Sequence, residues 1–187
     1  MKDSVFIAEY FQKYFNALKH FDVSSEMIQM KEILINANKN NNKIIFAGNG
    51  ASAAIASHAA LDFTKQGKIR SICFNDASFI TAFANDFGYD KWIEKAIECH
   101  CKKNDVAVLI SSSGKSPNVV NAARYSKEIG MKVITFSGFL NNNPLKIYGD
   151  VNFWLDSKAY NIIENIHQIW LMAVCDLIIG KAEYSVS

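Results

Sequence analysis

The sequence predicts an α/β domain: a five-stranded parallel sheet in three layers, flanked by helices, with two additional N-terminal helices. Three observations carry that expectation. Five short runs are apolar and mostly β-branched or aromatic: Lys43–Ala47, Ile69–Phe74, Val106–Ile110, Val133–Phe136 and Val151–Leu155. Segments of helical character lie between them, at 52–66, 90–101 and 117–129. The runs are apolar throughout and do not alternate, as expected of strands covered on both faces.

Taken in order, residues 4–20 read as a helix because Phe6, Ile7, Tyr10, Phe11, Tyr14, Phe15 and Leu18 recur at three-to-four spacing. They carry more aromatic surface than one layer over a sheet needs, which predicts an oligomer interface. Residues 24–41 read as a second helix. Ser24 and Ser25 can cap it, and Met27, Ile28, Ile33 and Leu34 form its apolar side. The asparagine-rich run 36–43 (NANKNNNK) joins this helix to the first strand, since asparagine suits helix ends and turns. Pro117 sits where a first helical turn tolerates proline, and residues 159–180 form a long closing helix. No linker or repeat divides the chain. It reads as one domain, 1–187, with 1–41 for assembly and 42–187 as the α/β core.

Composition narrows the function. The 187 residues are 50% apolar with a formal net charge of +2, which excludes an intrinsically disordered chain. Only Arg70 and Arg124 are arginine and the lysines are dispersed, so no nucleic-acid partner is expected. No apolar run reaches the roughly 18 residues of a membrane span, and Met1-Lys2-Asp3-Ser4 opens no signal-peptide core. A cytoplasmic protein is expected, with Cys73, Cys99, Cys101 and Cys175 reduced. Cys99-His100-Cys101 lacks the spacing and the second pair of a zinc site and reads as amphipathic packing.

Chemistry concentrates in two loops. The first strand runs into Gly48-Asn49-Gly50-Ala51-Ser52 and a helix. The third runs into Ser111-Ser112-Ser113-Gly114-Lys115-Ser116, then Pro117 and a helix. Small residues and free backbone N–H groups at a helix N-terminus bind anions, phosphate above all. Neither loop is a Walker A sequence, and Ala53 stands where a dinucleotide fingerprint needs its third glycine. Asn75 stands where an acidic residue would hold a ribose, so no nucleotide cofactor is expected. A serine-rich turn can merely cap a helix, but two such loops at strand ends of one sheet point to a phosphate monoester.

These loops, with Ala84-Asn85-Asp86-Phe87-Gly88 between them, resemble the SIS (sugar isomerase) domain family, and within it the bacterial phosphoheptose isomerases. The resemblance covers nearly the whole chain. It implies that Ser52, Ser111, Ser113 and Ser116 bind the phosphate of a sugar phosphate, that Asn49 and Asp86 line the sugar pocket, and that the chain forms a homotetramer. It also implies aldose–ketose isomerisation through an enediol, as of sedoheptulose 7-phosphate, supplying heptose for surface polysaccharide. In that family a His-x3-Glu and a Gln-x7-His supply catalytic groups and, in some members, zinc ligands. Here the matching residues are His58, Asp62, Glu164 and Met172, and Asn161 replaces an acidic residue.

Three readings follow from that departure. Asp62 remains the base, one methylene shorter, with Glu164 as acid or with His58, Asp62 and Glu164 as a divalent-metal set. Alternatively, catalysis is lost and the pocket senses a phosphosugar while the chain serves a protein partner, in the manner of the replication-initiation regulators of this family. Or the pocket takes another sugar phosphate. Met172 at helical spacing reads as plain core and His167 as a satisfied buried histidine. Glu164 and Asp62 each sit among apolar neighbours, where a carboxylate needs a partner or a ligand.

Overall fold

The computed structural model describes residues 2–184. Helices α1 (Asp3–His20) and α2 (Ser24–Lys39) lead into β1 (Ile44–Gly48), α3 (Ala51–Lys65), β2 (Ser71–Cys73), α4 (Ala77–Phe87) and α5 (Trp92–His100). Then come β3 (Val106–Ser111), α6 (Pro117–Glu128), β4 (Lys132–Ser137), a 3-10 turn at Pro144–Tyr148, β5 (Val151–Trp154) and α7 (Tyr160–Ile179). All strand pairs are parallel and the order is β2-β1-β3-β4-β5. The chain winds outward from β1 to β2, then returns to β3 beside β1. The carboxyl ends of β1 and β3 are therefore the switch point, where such sheets form a ligand crevice.

Both faces of the sheet are covered, which is why its strands are apolar at every position. On one face Phe46, Val108, Ile110, Phe136 and Phe153 pack under α2, α3 and α7. The Phe136 and Phe153 rings stack at 4.3 Å. On the other, Ile45, Ala47, Ala107, Leu109 and Val133 pack under α5 and α6. Below the sheet, Asp105 is fully buried and ties the strand starts together: it accepts from the Lys43 and Lys102 backbone N–H groups at 2.9 and 3.0 Å and pairs with Lys43 Nζ at 2.8 Å.

Several expectations need correction. Helix α4 was not anticipated. Asp76 caps it, its Oδ1 accepting from the N–H groups of Ser78 and Phe79 at 3.0 and 3.2 Å, and Phe79, Phe83 and Phe87 follow one turn apart, the first two stacked and the last tilted. The second strand is Ser71–Cys73, shorter than 69–74. Val23, not a serine, precedes α2, and Asp22 Oδ1 accepts from Ser24 N at 3.0 Å. Helix α7 is long and apolar enough to cross a bilayer, with a mean hydropathy of 1.5. Its packing accounts for that composition: Ile162, Ile163, Ile166, Trp170, Leu171 and Val174 are all buried in the core.

Helix α1 is attached differently. Ala17 is its one buried residue. Val5, Phe6, Ile7, Phe11, Phe15 and Leu18 are exposed, Phe15 by 70%. Contact with the body runs through Tyr14, whose hydroxyl accepts from Asn165 Nδ2 at 2.8 Å.

Candidate active site

The loop after β1 begins with a close approach. A Cβ on Gly48 would lie 2.7 Å from Ser52 Cβ and 2.9 Å from the Ile110 carbonyl, so glycine lets β1, β3 and the start of α3 meet. The loop after β3 turns at Gly114, φ +65°. A Cβ there would strike Asn143 Oδ1 at 2.1 Å. Asn143 is buried behind it and donates to Ser137 Oγ at 3.0 Å and the Leu140 carbonyl at 2.9 Å, while Gly114 N donates to the Ser111 carbonyl at 2.8 Å.

Between these loops lies a cavity of about 250 Å³ that brings together Asn49, Ser52, Ser111, Ser113 and Ser116. Ser111 Oγ donates to Ser116 Oγ at 3.1 Å, and Lys115 N to Ser113 Oγ at 3.2 Å. Asn49 is held by a reciprocal amide pair with buried Asn118, at 2.8 and 2.9 Å, and its Oδ1 also accepts from Tyr89 at 3.2 Å. Hydroxyls and the amino ends of α3 and α6 thus converge with no acidic side chain beyond Glu164, an arrangement made for an anion.

A second cavity, of about 450 Å³, adjoins the first and shares Ala51 and Glu164 with it. Tyr10, His58, Asn161, Asn165 and Gln168 supply its polar wall. The two form one groove with Glu164 at the junction, where its Oε1 accepts from Ser112 Oγ at 3.1 Å. His58 is clamped. Gln168 Nε2 donates to its Nδ1 at 2.6 Å, which places the ring proton on Nε2, 3.1 Å from Asp62 Oδ2.

Two of the expected site residues stand elsewhere. Asp86 is exposed on the last turn of α4, bonded to Asn85 at 2.9 Å, outside the walls of either cavity. Asp62 is off the groove wall, one turn behind His58 and turned to its imidazole. The expected metal set is not assembled. Among the described residues no three His, Cys, Asp or Glu side chains are grouped to hold an ion, and both nitrogens of His58 are engaged. These residues do not fit a zinc site. Cys99-His100-Cys101 is likewise not grouped as a ligand set among the described residues, and His100 lies tilted against the rings of Phe74 and Phe79 at 5.3 and 5.5 Å.

Met172 is partly buried against the core. His167 is fully buried, with Nε2 donating to the Ser137 carbonyl at 3.1 Å and Nδ1 without a partner. Burial lowers its pKa to about 4 and so keeps it neutral. Sequence reasoning missed Gln168, Asn118, Ser112, Tyr89 and Tyr10. The signal for Gln168 was available: it lies four residues after Glu164 on α7, hence on the same face.

The chain is similar to known proteins along most of its length. The family model of the SIS domain matches residues 9–138. The phosphoheptose isomerase of Aliarcobacter butzleri is 32% identical over 153 residues, 79% of this chain and 80% of that one. That of Helicobacter pylori strain P12 is 32% identical over 167 residues, 86% of each. The solved phosphoheptose isomerase of Neisseria gonorrhoeae superposes with a TM-score of 0.85 over 96% of this chain and 97% of that one, at 28% identity.

Proposed function

The chain belongs to the SIS domain family, and from that premise we propose that it is a phosphosugar isomerase acting on sedoheptulose 7-phosphate. In this reading it supplies a heptose 7-phosphate for bacterial surface polysaccharide, in the cytoplasm, as a homotetramer. One observation carries it: a hydroxyl-lined anion pocket and a polar sugar-sized cavity share Glu164 at their junction. Residues 1–41 serve assembly and lend Tyr10 to the groove wall, and 42–187 supply the rest of the substrate site.

Isomerisation moves a proton between adjacent carbons and another between their oxygens. Ser52, Ser111, Ser113 and Ser116 hold the phosphate and so fix the carbon chain along the groove. Glu164, the carboxylate on the groove wall, takes the proton from C1 and returns it to C2. His58 relays the hydroxyl proton from O1 to O2 through Nδ1 once the substrate displaces the Gln168 amide. Asp62 accepts the Nε2–H and so orients the ring. It is a positioning residue in this scheme, while the base is Glu164. Every proton is returned, and no metal takes part.

The test is NMR exchange of the substrate's C1 and C2 protons with deuterated water, beside calorimetry of the same sugar phosphate on wild type and Ser113→Ala. Exchange in wild type and weakened binding in Ser113→Ala support the reading; equal affinity in both variants sinks the phosphate assignment. Both nitrogens of His58 are already bonded and Met172 offers no acid, which favours a second reading, a non-catalytic phosphosugar sensor serving a protein partner. Binding without any exchange would select it. Light scattering at micromolar concentration that shows only a single-chain mass would end the tetramer.

A further inference from the structure

The motif Ala84–Gly88 makes its contact with the site one residue beyond its end. Asp86 lies outside the groove, but Tyr89, directly after Gly88, reaches the loop that follows β1: its hydroxyl is 3.2 Å from Asn49 Oδ1. Gly88 makes the turn that sends it there, at φ +87°. The connector between α4 and α5 is also held by Asn121 of α6, whose Nδ2 donates to the Asp90 carbonyl at 2.9 Å. It is therefore fastened to α6 and to the wall of the serine cavity at once.

One backbone group sets the direction of every hydrogen bond around Asn49. Val119 N–H can only donate, and it meets one end of the Asn118 amide at 3.0 Å, so that end is Oδ1. The other end is then Nδ2, which donates to Asn49 Oδ1 at 2.9 Å, and Asn49 Nδ2 donates back to Asn118 Oδ1 at 2.8 Å. Asn118 is only 1% exposed, which shields the pair from water. Asn49 Oδ1 is an acceptor, so Tyr89 is its donor, and two bonds fill both lone pairs of that oxygen. The cyclic pair engages one Asn49 N–H and leaves the other outside the ring. Asn49 lines the serine cavity and not the second one. It offers a ligand one proton and no free lone pair. Ser113 and Ser116 stand beside it in the same sense, since their oxygens accept within the loop and their own protons are spare.

We infer that Asn118 and Tyr89 are positioning residues that lock Asn49 as a hydrogen-bond donor to the phosphate end of the bound sugar phosphate. An unlocked amide can turn its carbonyl toward the anion. The locked one cannot, and its ordering is complete before the ligand arrives. The inference rests on the phosphate assignment made above and on no catalytic step.

The test is a double-mutant cycle by calorimetry with sedoheptulose 7-phosphate, on wild type, Tyr89→Phe, Asn49→Ala and the double variant, beside NMR of the Asn49 side-chain amide. Tyr89 is 56% exposed, so Tyr89→Phe is expected to keep the wild-type melting temperature. Binding is expected to weaken about threefold to tenfold in Tyr89→Phe, the scale of a neutral hydrogen bond, and about tenfold or more in Asn49→Ala, which loses a bond to a charged group. The double variant is expected to bind no more weakly than Asn49→Ala, because Tyr89 acts through Asn49. Undiminished affinity in Tyr89→Phe overturns the inference, and so do losses that add. The spectrum keeps the test open if Asn49→Ala fails to fold. In wild type the ligand is expected to move the unpaired Nδ2 proton of Asn49 downfield by more than the paired one, and a shift of neither overturns the inference. A wild type with no affinity for the sugar phosphate sinks the phosphate assignment and this inference together, whereas additive losses in a protein that binds sink this inference alone. The cycle reads binding only, so a wild type that exchanges no substrate protons would not alter its result.

Discussion

The two ends of the groove are built on different principles. At the serine end Ser52, Ser111 and Ser112 are buried, and the loop is pinned from behind by Asn143. The hydroxyls converge without any distant element having to arrive. At the other end His58 is 49% exposed in its side chain, and its clamp joins α3 to α7 across 110 residues of sequence. One end is fixed by the strand termini themselves. The other depends on how three helices dock, and α1, which contributes Tyr10, is the least anchored of them. The difference shows where this fold keeps its binding and where it can change its chemistry. On the proposed reading, a substitution in the anchored end is expected to break the loop, whereas side chains of α3 and α7 can change with the serine pocket left in place.

Glu164 sits between the two ends and gives the sharpest test. Glu164→Gln is expected to reduce proton exchange by about a thousandfold, within the span of a positioned acid or base, while phosphate affinity by calorimetry changes little. If affinity falls with exchange, the two ends are not separable. Gly114→Ala attacks the anchored end. The new Cβ meets Asn143 at 2.1 Å on a backbone at φ +65°, so a loss of about 2–3 kcal/mol is expected. That is a fall of about 5–10 °C in Tm by differential scanning calorimetry, together with loss of phosphate binding.

A third test probes the layer beneath both ends. His167 titrates near 4 when folded, against 6.5 in the reference state. A depressed histidine leaves the unfolded chain binding more protons, so stability is full above about pH 6.5 and falls as pH drops toward 4. Urea unfolding is expected to show a loss of about 2 kcal/mol between pH 7 and pH 5 from this residue; His167→Leu should lack that increment. A wild-type slope no steeper than the variant's would mean the imidazole is hydrated. The smallest effect is reserved for the clamp. Gln168→Leu should cost about tenfold in kcat, about 1.4 kcal/mol, with KM nearly unchanged, and a chelator should change neither.

Much of the fold was legible because its cause is local. The continuous apolar runs follow from burial on both sheet faces, and each contains enough β-branched or aromatic residues to be read alone. The serine loops were legible for the same reason, since strand, turn, proline and helix follow one another within ten residues. Helix α4 was hidden because its last turn, Ala84–Phe87, reads as part of a loop motif with Gly88. At the sugar end, spacing could place Gln168 on the Glu164 face of α7, but its contact with His58 depends on how α7 packs on α3 and could not be read from the sequence. Asp62 matched a familiar position, yet position along α3 did not reveal that the carboxylate faces the imidazole and not the groove.

The exposed face of α1 makes the groove's completeness a question of mass action. With Ala17 as its only buried residue, that helix has little to hold it against opening in an isolated chain, and its amides should exchange with solvent sooner than those of α7. A second copy covering Phe6, Phe11 and Phe15 would slow that exchange in proportion to occupancy. Tyr10 lines the groove from this same helix. Specific activity is therefore expected to fall on dilution, at the concentration where α1 loses its protection, and the chain would then report its own abundance through its turnover.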